Sequence, residues 1–277
     1  MEVYKDKVVV ITGAGGILCS MMAKEYARLG AKVAVLDLNK DAAQKVADEI
    51  VADGGVAKAY AVNCLEKDSM AAAKELINKE LGLTDILING AGGNNPKGTT
   101  TNDYFDIKDM KDPDVKSFFD LDGGGVDFVF KLNFLATFLT TQVFAADMIG
   151  RGGNIVNVSS MNAFRPLTRI PAYSGAKAAV SNFTEWLAVH FAKEGIRVNA
   201  IAPGFFVTKQ NYGLLFDNDG KPTARAQKIL AGTPMGRFGE PEEILGTLTF
   251  LTDDTKAGFV TGIVVPIDGG FSAYSGV

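Results

Sequence analysis

The chain has few of the residues that build disulfides and metal sites. Its 277 residues include two cysteines, Cys19 and Cys64, and a single histidine, His190. The cysteines stand far apart without paired spacing, so we expect neither a disulfide framework nor a zinc site. A reducing compartment such as the cytoplasm is predicted instead. Since histidines and acids do not cluster anywhere, no metal centre is predicted either.

A strong charge of one sign and long apolar runs are also missing. The net charge is −4 and the lysines and arginines are scattered, which predicts no surface for nucleic acid. The polar first residues do not resemble a secretory signal, and no apolar run approaches the length that spans a membrane. With 47% apolar residues the chain can bury a large core. These features predict a cytoplasmic protein that binds neither nucleic acid nor membrane.

The sequence does contain a regular alternation of short apolar runs and amphipathic segments. Strands are predicted at 7–12, 32–36, 56–62, 85–88, 154–158, 196–201 and 262–268. Helices are predicted at 40–52 with Asn39 as the N-cap, and at 68–81, 126–149 and 172–193. Because the apolar runs are continuous, parallel strands with helices on both faces are expected. We predict one α/β domain over 1–277, a Rossmann fold with a doubly wound, seven-stranded parallel sheet.

Two polar segments, 94–125 and 205–234, interrupt this alternation. The first carries Pro96, Pro113 and three consecutive glycines, and the second has a turn composition at 217–220. A long irregular segment inside a compact domain is usually functional. Ligands of a doubly wound sheet bind beyond the carboxyl ends of its strands. Both segments are therefore predicted to border a substrate cleft.

The turn from Thr12 to Gly16 stands between the first strand and the first helix. Glycines let the backbone approach a pyrophosphate, and the helix N-terminus supplies free N–H groups. Asp37 ends the second strand, where a carboxylate accepts from the ribose hydroxyls and repels a 2′-phosphate, so NAD is predicted over NADP. The alternative for Asp37 is a solvated turn residue. Asn63 and Asn89 stand at the ends of the third and fourth strands. They are expected to meet the adenine and to brace the strand, although either could equally form a turn.

Tyr173 and Lys177 are four residues apart and therefore share one face of a helix. A neighbouring ammonium favours the phenolate of a tyrosine, whose pKa is ordinarily about 10. Ser160 follows an apolar run, which predicts a hydroxyl at a strand end. A serine that binds a carbonyl and a tyrosine that protonates it can reduce that carbonyl. Taken alone, however, a Tyr-x-x-x-Lys pair more often marks a solvated helix face.

The ordered set of motifs resembles the short-chain dehydrogenase/reductase family over nearly the whole chain. The matching pieces are Thr12-Gly13, Asp37, Asn89-Gly90-Ala91-Gly92, Asn133, Ser160, Tyr173-x-x-x-Lys177, Pro203-Gly204 with Thr208, and Thr261-Gly262 followed by Asp268-Gly269-Gly270. Ser160 stands 13 positions before Tyr173, the spacing typical of the family. Each motif is weak by itself, but their order is highly specific.

The resemblance implies roles for single residues. Tyr173 is the general acid/base, Lys177 lowers its pKa and binds the nicotinamide ribose, and Ser160 holds the substrate oxygen. Asn133 supports a water-linked proton relay. The implied NAD contacts are Gly13, Gly16, Ile17, Leu18, Asp37, Leu38, Asn63, Cys64, Asn89, Ala91, Gly92, Tyr173, Lys177, Pro203, Gly204, Phe206 and Thr208. The helices after Gly125 and Pro171 resemble those through which family members form homotetramers.

The glycine motif departs from the family pattern. The family continues Thr-Gly-x-x-x-Gly-x-Gly, whereas here Ile17 and Cys19 occupy the last two glycine positions and Gly16 comes one position early. This departure is expected to place Cys19 near the pyrophosphate. Cysteine is small enough to replace a packing glycine, so a redox role is not favoured.

Several stretches, at 92–97, 160–169, 203–208 and 271–275, resemble the D-mannonate oxidoreductase (fructuronate reductase) branch of the family. Amides suit the hydroxyls of a polyol, and the planar fork of arginine suits a carboxylate. The predicted substrate residues are Asn94, Asn95, Lys97, Asn162, Arg165 and Arg169. At least one of the three cations is expected to meet the carboxylate of a sugar acid, although either arginine could instead lie at the surface or at a subunit interface. Lys209, Gln210 and Asn211 follow strand six and could line the same cleft.

Two alternatives to a mannonate enzyme stay open. One is the same chemistry on another sugar acid or polyol such as gluconate, and the other is a non-catalytic, NAD-binding regulator. The complete set of Asn133, Ser160, Tyr173 and Lys177 argues against the regulator, which has no need of it. A lipid or steroid substrate is not favoured, because few apolar residues follow the strand ends. His190 stands in an apolar stretch and is predicted to serve packing or an interface.

Overall fold

The computed structural model describes residues 2–208 and 211–276, so the predictions for Lys209 and Gln210 lie outside the described residues. Within this part of the chain, seven strands form one parallel sheet in the order β3-β2-β1-β4-β5-β6-β7. The strands are β1 (Val8–Thr12), β2 (Lys32–Asp37), β3 (Val56–Ala61), β4 (Ile86–Asn89), β5 (Gly153–Val158), β6 (Ile196–Pro203) and β7 (Val264–Ile267). The predicted Rossmann fold with a doubly wound parallel sheet is confirmed.

Helices connect the strands and cover both faces of the sheet. They are α1 (Ile17–Arg28), α2 (Lys40–Ala52), α3 (Lys67–Glu80), α4 (Gly123–Phe130), α5 (Ala136–Phe144), α6 (Pro171–Phe191), α7 (Tyr212–Leu215), α8 (Ala224–Ala231), α9 (Glu243–Thr252) and α10 (Asp254–Ala257). Short 3-10 turns are found at Glu2–Tyr4, Pro96–Gly98, Ile107–Lys111, Phe118–Asp120, Ala145–Met148, Met161–Ala163 and Ala192–Glu194, and a π turn at Lys131–Leu135.

The core lies on the two faces of the sheet. Val9 and Ile11 of β1 pack with α1, α2 and α9, whereas Val8 and Val10 pack with α3, α5 and α6. The central strands are buried on both faces, as the continuous apolar runs predict. The edge strand β3 differs, because it mixes buried and exposed residues and Val56 is half exposed. An edge strand carries a neighbour on one side only, so the expectation of continuous burial was wrong there.

Side-chain caps set the starts of two helices, of which the sequence predicted one. Helix α2 has the predicted bounds, and the Asn39 side chain accepts hydrogen bonds from the N–H groups of Asp41 and Ala42. The helix predicted at 126–149 instead begins at Gly123, because the Asp122 carboxylate caps it by accepting from the N–H of Gly125 at 2.7 Å. The three glycines at 123–125 had favoured a loop because glycine has a low helix propensity, but the Asp122 cap outweighs that propensity.

The two segments predicted to be irregular are so only in part. Segment 94–125 holds three 3-10 turns and the first turn of α4, and segment 205–234 holds α7 and α8. The predicted turn at 217–220 is present, since the Asp217 carboxylate accepts from the N–H groups of Asp219 and Lys221. Both segments extend from carboxyl ends of strands, so they border the same edge of the sheet.

The helix that precedes β5 is both long and apolar. The continuous helix from Gly123 to Met148 spans 26 residues, and its length and composition would suffice to cross a membrane. Half of its most apolar window is buried, and the helix packs against α3, α6 and β4. Its apolar character therefore matches a core helix of this sheet.

Candidate active site

The carboxyl ends of β1 and β4 are tied together beside the nucleotide turn. The Thr12 hydroxyl accepts hydrogen bonds from the N–H groups of Gly90 and Ala91, at 3.1 and 3.2 Å. Gly13 has a φ of +66°, and a Cβ built on it would lie 2.9 Å from the Cα of Ala91. A side chain is therefore excluded at Gly13 by both conformation and space.

The N-terminus of α1 is open to an anion. Its N-cap is Gly16, which has no side chain to cap the helix, and the first turn contains no acid. Within residues 2–208 and 211–276, the N–H groups of Ile17 and Leu18 have no hydrogen-bond acceptor. Free N–H groups and the helix dipole together favour a phosphate, so this turn fits the pyrophosphate of a dinucleotide.

A cleft of about 300 Å³ runs from this turn to the end of β6. Ile17 and Leu18 line one side, and Gly204, Phe206 and Thr208 line the other. The structure therefore brings together five residues that were predicted separately as cofactor contacts. Phe205 and Asn211 complete the lining, and the Asn211 amide fixes the loop by accepting from the N–H of Thr208 and donating to the carbonyl of Phe206. Pro203 ends β6 directly before this cleft.

Asp37 holds a fixed position at the adenosine end of the turn. One carboxylate oxygen accepts from the N–H of Gly15 at 3.0 Å, and the other accepts from the N–H of Asn39 at 2.9 Å. Each carboxylate oxygen keeps a further lone pair for a ribose hydroxyl. The next residue, Leu38, is largely exposed, so its apolar side chain is free to cover an adenine.

Cys19 is buried within the fold and does not line the cleft. A Cβ on Gly90 would overlap the Cys19 sulfur. Cys19 occupies a glycine position of the family motif, and the turn after β4 makes room for its side chain by having a glycine at position 90. Burial raises the pKa of the Cys19 thiol to about 12. Cys19 is thus a packing residue. Cys64 is half buried, and burial raises its pKa to about 11.

Asn63 and Asn89 use their side chains within the protein. Asn63 donates to Glu66 and accepts from the N–H of Leu65, which makes it a turn former before α3. Asn89 is buried and donates to Thr141 and to Asn157. Of the two alternatives open in the sequence, Asn89 braces the strand, and its side chain is enclosed in the core.

Asn133 fixes the turn that follows β4. It lies in the π turn, fully buried, where its amide accepts from the N–H of Gly93 and donates to the carbonyls of Gly93 and Val129. A Cβ built on Gly92 would lie 2.7 Å from the Asn133 oxygen and 3.2 Å from the Lys177 nitrogen. Gly92 therefore lets these two predicted catalytic side chains approach each other.

Ser160, Tyr173 and Lys177 come together at the end of β5. Ser160 is buried and lies close enough to Tyr173 to lower the pKa of Tyr173, but burial raises that pKa by more. The Lys177 ammonium lies 5.6 Å from the centre of the Tyr173 ring and donates to the carbonyl of Val158 at 2.7 Å. Burial lowers the pKa of Lys177 to about 8. The ammonium therefore lies beside the Tyr173 ring, and its effect on the pKa of Tyr173 stays a prediction.

The predicted substrate amides differ in how they are engaged. The Asn94 amide donates to Thr99, and Asn95 accepts from the N–H of Lys97 and so caps a 3-10 turn. Asn162 is buried two residues after Ser160, and its side-chain oxygen has no partner among the described residues. A buried acceptor without a partner is costly, so Asn162 is the amide best prepared for a substrate hydroxyl.

The predicted substrate cations also differ. The Nε of Arg165 donates to the carbonyl of Ser272, so this arginine contacts the C-terminal segment. The Nε of Arg169 donates to Asp103 at 2.6 Å. Lys97 is exposed, and its ammonium has no ion-pair partner within the described ranges 2–208 and 211–276. Sequence reasoning missed Asp103, which stands 66 residues from its partner in a segment without periodicity.

His190 lies outside this site, on the exposed face of α6. Its ring stacks on that of Trp186 with centroids 4.6 Å apart. Trp186 and Val189 are exposed beside it. Its predicted packing or interface role stays a prediction.

Comparisons with known proteins extend the similarity over the whole chain. Residues 7–215 match the short chain dehydrogenase family. An uncharacterized oxidoreductase of Haemophilus influenzae is 60% identical over 99% of this chain and 95% of its own length. The 7alpha-hydroxysteroid dehydrogenase of Escherichia coli K12 is 31% identical over 95% of this chain and 93% of its own length.

A crystal structure from Haemophilus influenzae is similar in both sequence and fold. It contains bound NAD, and its protein carries the provisional name D-mannonate oxidoreductase. It is 59% identical, covers 99% of this chain and 97% of its own, and has a TM-score of 0.95. With the site geometry and these similarities in agreement, the chain belongs to the short-chain dehydrogenase family of oxidoreductases.

Proposed function

We propose that the chain is an NAD-dependent oxidoreductase that interconverts D-mannonate and D-fructuronate in the cytoplasm. One observation carries the proposal: Ser160 lies close to Tyr173, and the buried Asn162 side-chain oxygen two residues on has no partner among the described residues. The similarity to the NAD-bound Haemophilus protein supports both the cofactor and the substrate. Gluconate or another sugar acid is the alternative substrate.

The residues at the nucleotide end fit NAD. The N–H groups of Ile17 and Leu18 would hold the pyrophosphate, and the Asp37 carboxylate would accept from the adenosine ribose. Lys177 can donate to the nicotinamide ribose with the protons that its bond to Val158 leaves free. When bound, NAD supplies the hydride acceptor or donor for the reaction.

The protein supplies orientation and proton transfer. The Ser160 hydroxyl can donate to the substrate oxygen, and the Tyr173 hydroxyl beside it gives its proton to that oxygen in reduction and accepts it back in oxidation. Burial raises the pKa of Tyr173, so the protonated phenol is available as the proton donor in reduction. Asn133 holds the Gly93 backbone and so fixes the turn above the site.

A substrate panel tests the proposal. NADH oxidation is measured with D-fructuronate, other keto-acids, the neutral ketose fructose, and an apolar cyclic ketone. The apolar ketone is included because Tyr104, Phe105 and Phe118 are exposed on the segment after β4, and exposed aromatic side chains could bind an apolar substrate. We expect D-fructuronate to give the highest kcat/KM. A preference for fructose or the apolar ketone would contradict the acid substrate, and no turnover of any would contradict an enzyme.

Cofactor choice provides a second test, with Asp37→Ala and Asp37→Asn. Either change removes the negative charge that repels a 2′-phosphate, so the ratio of kcat/KM for NADH over NADPH should fall about tenfold or more. Asp37→Asn keeps one acceptor for the N–H of Gly15 and separates charge from loop geometry. An unchanged ratio in both variants would show that Asp37 does not contact the ribose.

We also propose a homotetramer. Large apolar side chains are exposed on α6 at Trp186 and Val189, and before β7 at Phe259. Exposed apolar patches of this kind often mark subunit contacts. Light scattering of the purified protein would measure the mass directly, and a monomer would contradict the assembly.

A further inference from the structure

Asp103 connects three segments that are far apart in the sequence. Its carboxylate accepts from the Nε of Arg169 at 2.6 Å, from the ammonium of Lys228 at 2.8 Å and from the Thr168 hydroxyl at 3.2 Å. Asp103 stands in the segment after β4, Arg169 between β5 and α6, and Lys228 in α8. One acid therefore joins both segments predicted to border the substrate.

Among the described residues, the network engages only the Nε atom of Arg169. Asp103 engages the Nε, and the two terminal nitrogens of this guanidinium have no acceptor within the described residues 2–208 and 211–276. The side chain is 43% exposed, so those nitrogens can be reached by a ligand. Two terminal N–H groups in one plane match the two oxygens of a carboxylate.

The charge of the network favours an anion. Two cations share one carboxylate, so the cluster keeps one net positive charge even though Asp103 is engaged. The hydrogen bonds from Lys228 and Arg169 hold the pKa of Asp103 far below its ordinary value, so the acid stays ionised. The Thr100 N–H also donates to the carbonyl of Arg169, which fixes the backbone from the same segment.

We propose that Asp103 is a positioning residue that orients Arg169 to bind the carboxylate of the sugar-acid substrate. This inference rests on the proposed function and selects Arg169 among the three cations that the sequence left open. Exposed ion pairs contribute little to stability, so a purely structural reason for the network is weak. Arg169 stands four residues before Tyr173, just ahead of α6, and four residues of chain span at most about 14 Å, so the arginine lies on the segment that leads into the site.

The test compares KM for D-fructuronate and for the neutral ketose fructose in wild type, Asp103→Asn, Arg169→Lys and the double variant. We expect Asp103→Asn to raise KM for the acid about tenfold, as for a lost charge-assisted hydrogen bond, with kcat within about threefold. KM for fructose and the melting temperature should not change. Because Asp103 acts through Arg169, the double variant should match Arg169→Lys alone.

Matched controls separate positioning from general charge. Asp114→Asn removes an exposed acid from the same segment, one whose carboxylate makes no bond to Arg169, and should leave both KM values unchanged. Additive effects in the double variant, or an equal rise in KM for fructose, would overturn the inference while leaving the proposed function intact. A wild-type enzyme without turnover of any acid sugar would overturn both.

Discussion

Tyr173→Phe should lower kcat by about 10²- to 10⁴-fold and leave NADH binding nearly unchanged. The variant loses the hydroxyl that lies near Ser160 and carries the proton, but keeps the ring beside Lys177. Steady-state NADH oxidation measures kcat, and fluorescence titration measures the dissociation constant of NADH. The effect should appear in kcat and in kcat/KM equally, because the lost interaction belongs to the transition state.

Tyr60→Phe is the matched control for this experiment. Its hydroxyl donates to Glu80 on the far edge of the sheet, so its loss should leave turnover unchanged. If Tyr173→Phe also abolished NADH binding, or if Tyr60→Phe lost activity to a similar degree, Tyr173 would have a structural role and not a chemical one.

Lys177→Met should abolish most turnover yet raise stability at neutral pH. Lys177 is 4% exposed, and among the described residues its ammonium donates to the carbonyl of Val158 and has no carboxylate partner. A pKa lowered from 10.5 to about 8 corresponds to a folding penalty on the order of 3 kcal/mol at neutral pH. Leaving the Val158 carbonyl unpaired costs about 1–3 kcal/mol in return. We expect a rise in melting temperature of about 2–4 °C at pH 7.5.

The pH dependence of this difference follows from proton binding. Between pH 8 and 10.5 the unfolded chain holds a proton on Lys177 that the folded chain has released, so wild-type stability rises with pH in that window. The penalty is complete below about pH 8 and is lost as the pH approaches 10.5. The variant should therefore be more stable at pH 7.5 and less stable at pH 10.5, where only the lost hydrogen bond counts. A melting difference that does not vary with pH would contradict a buried, destabilised ammonium.

The sheet and the catalytic residues could be predicted from the sequence because their signals are local. Continuous apolar runs gave the strands, and Asn39 gave the start of α2. The prediction at Gly123 failed because the three glycines were weighed above the neighbouring Asp122 cap. The prediction at β3 failed because position in the sheet, which distant residues decide, sets its exposure.

The substrate end was predictable only as a set of candidates. Spacing placed Asn162, Arg165 and Arg169 near Ser160, but no local pattern tells which cation faces a ligand. The partners that distinguish them, Asp103 for Arg169 and Ser272 for Arg165, come from segments without periodicity. Contacts across 66 to 107 residues depend on the complete fold.

Both cysteines lie in the nucleotide-binding half of the molecule, so a thiol reagent can report on this half. Cys19 is sealed against Gly90, and Cys64 is half buried after β3, with both thiols held protonated by burial. An alkylating reagent reacts with the thiolate, so it would modify Cys19 only when α1 separates from the turn after β4. The rate at which Cys19 is alkylated therefore measures how often the dinucleotide pocket opens. The substrate half of the molecule carries no label in this measurement.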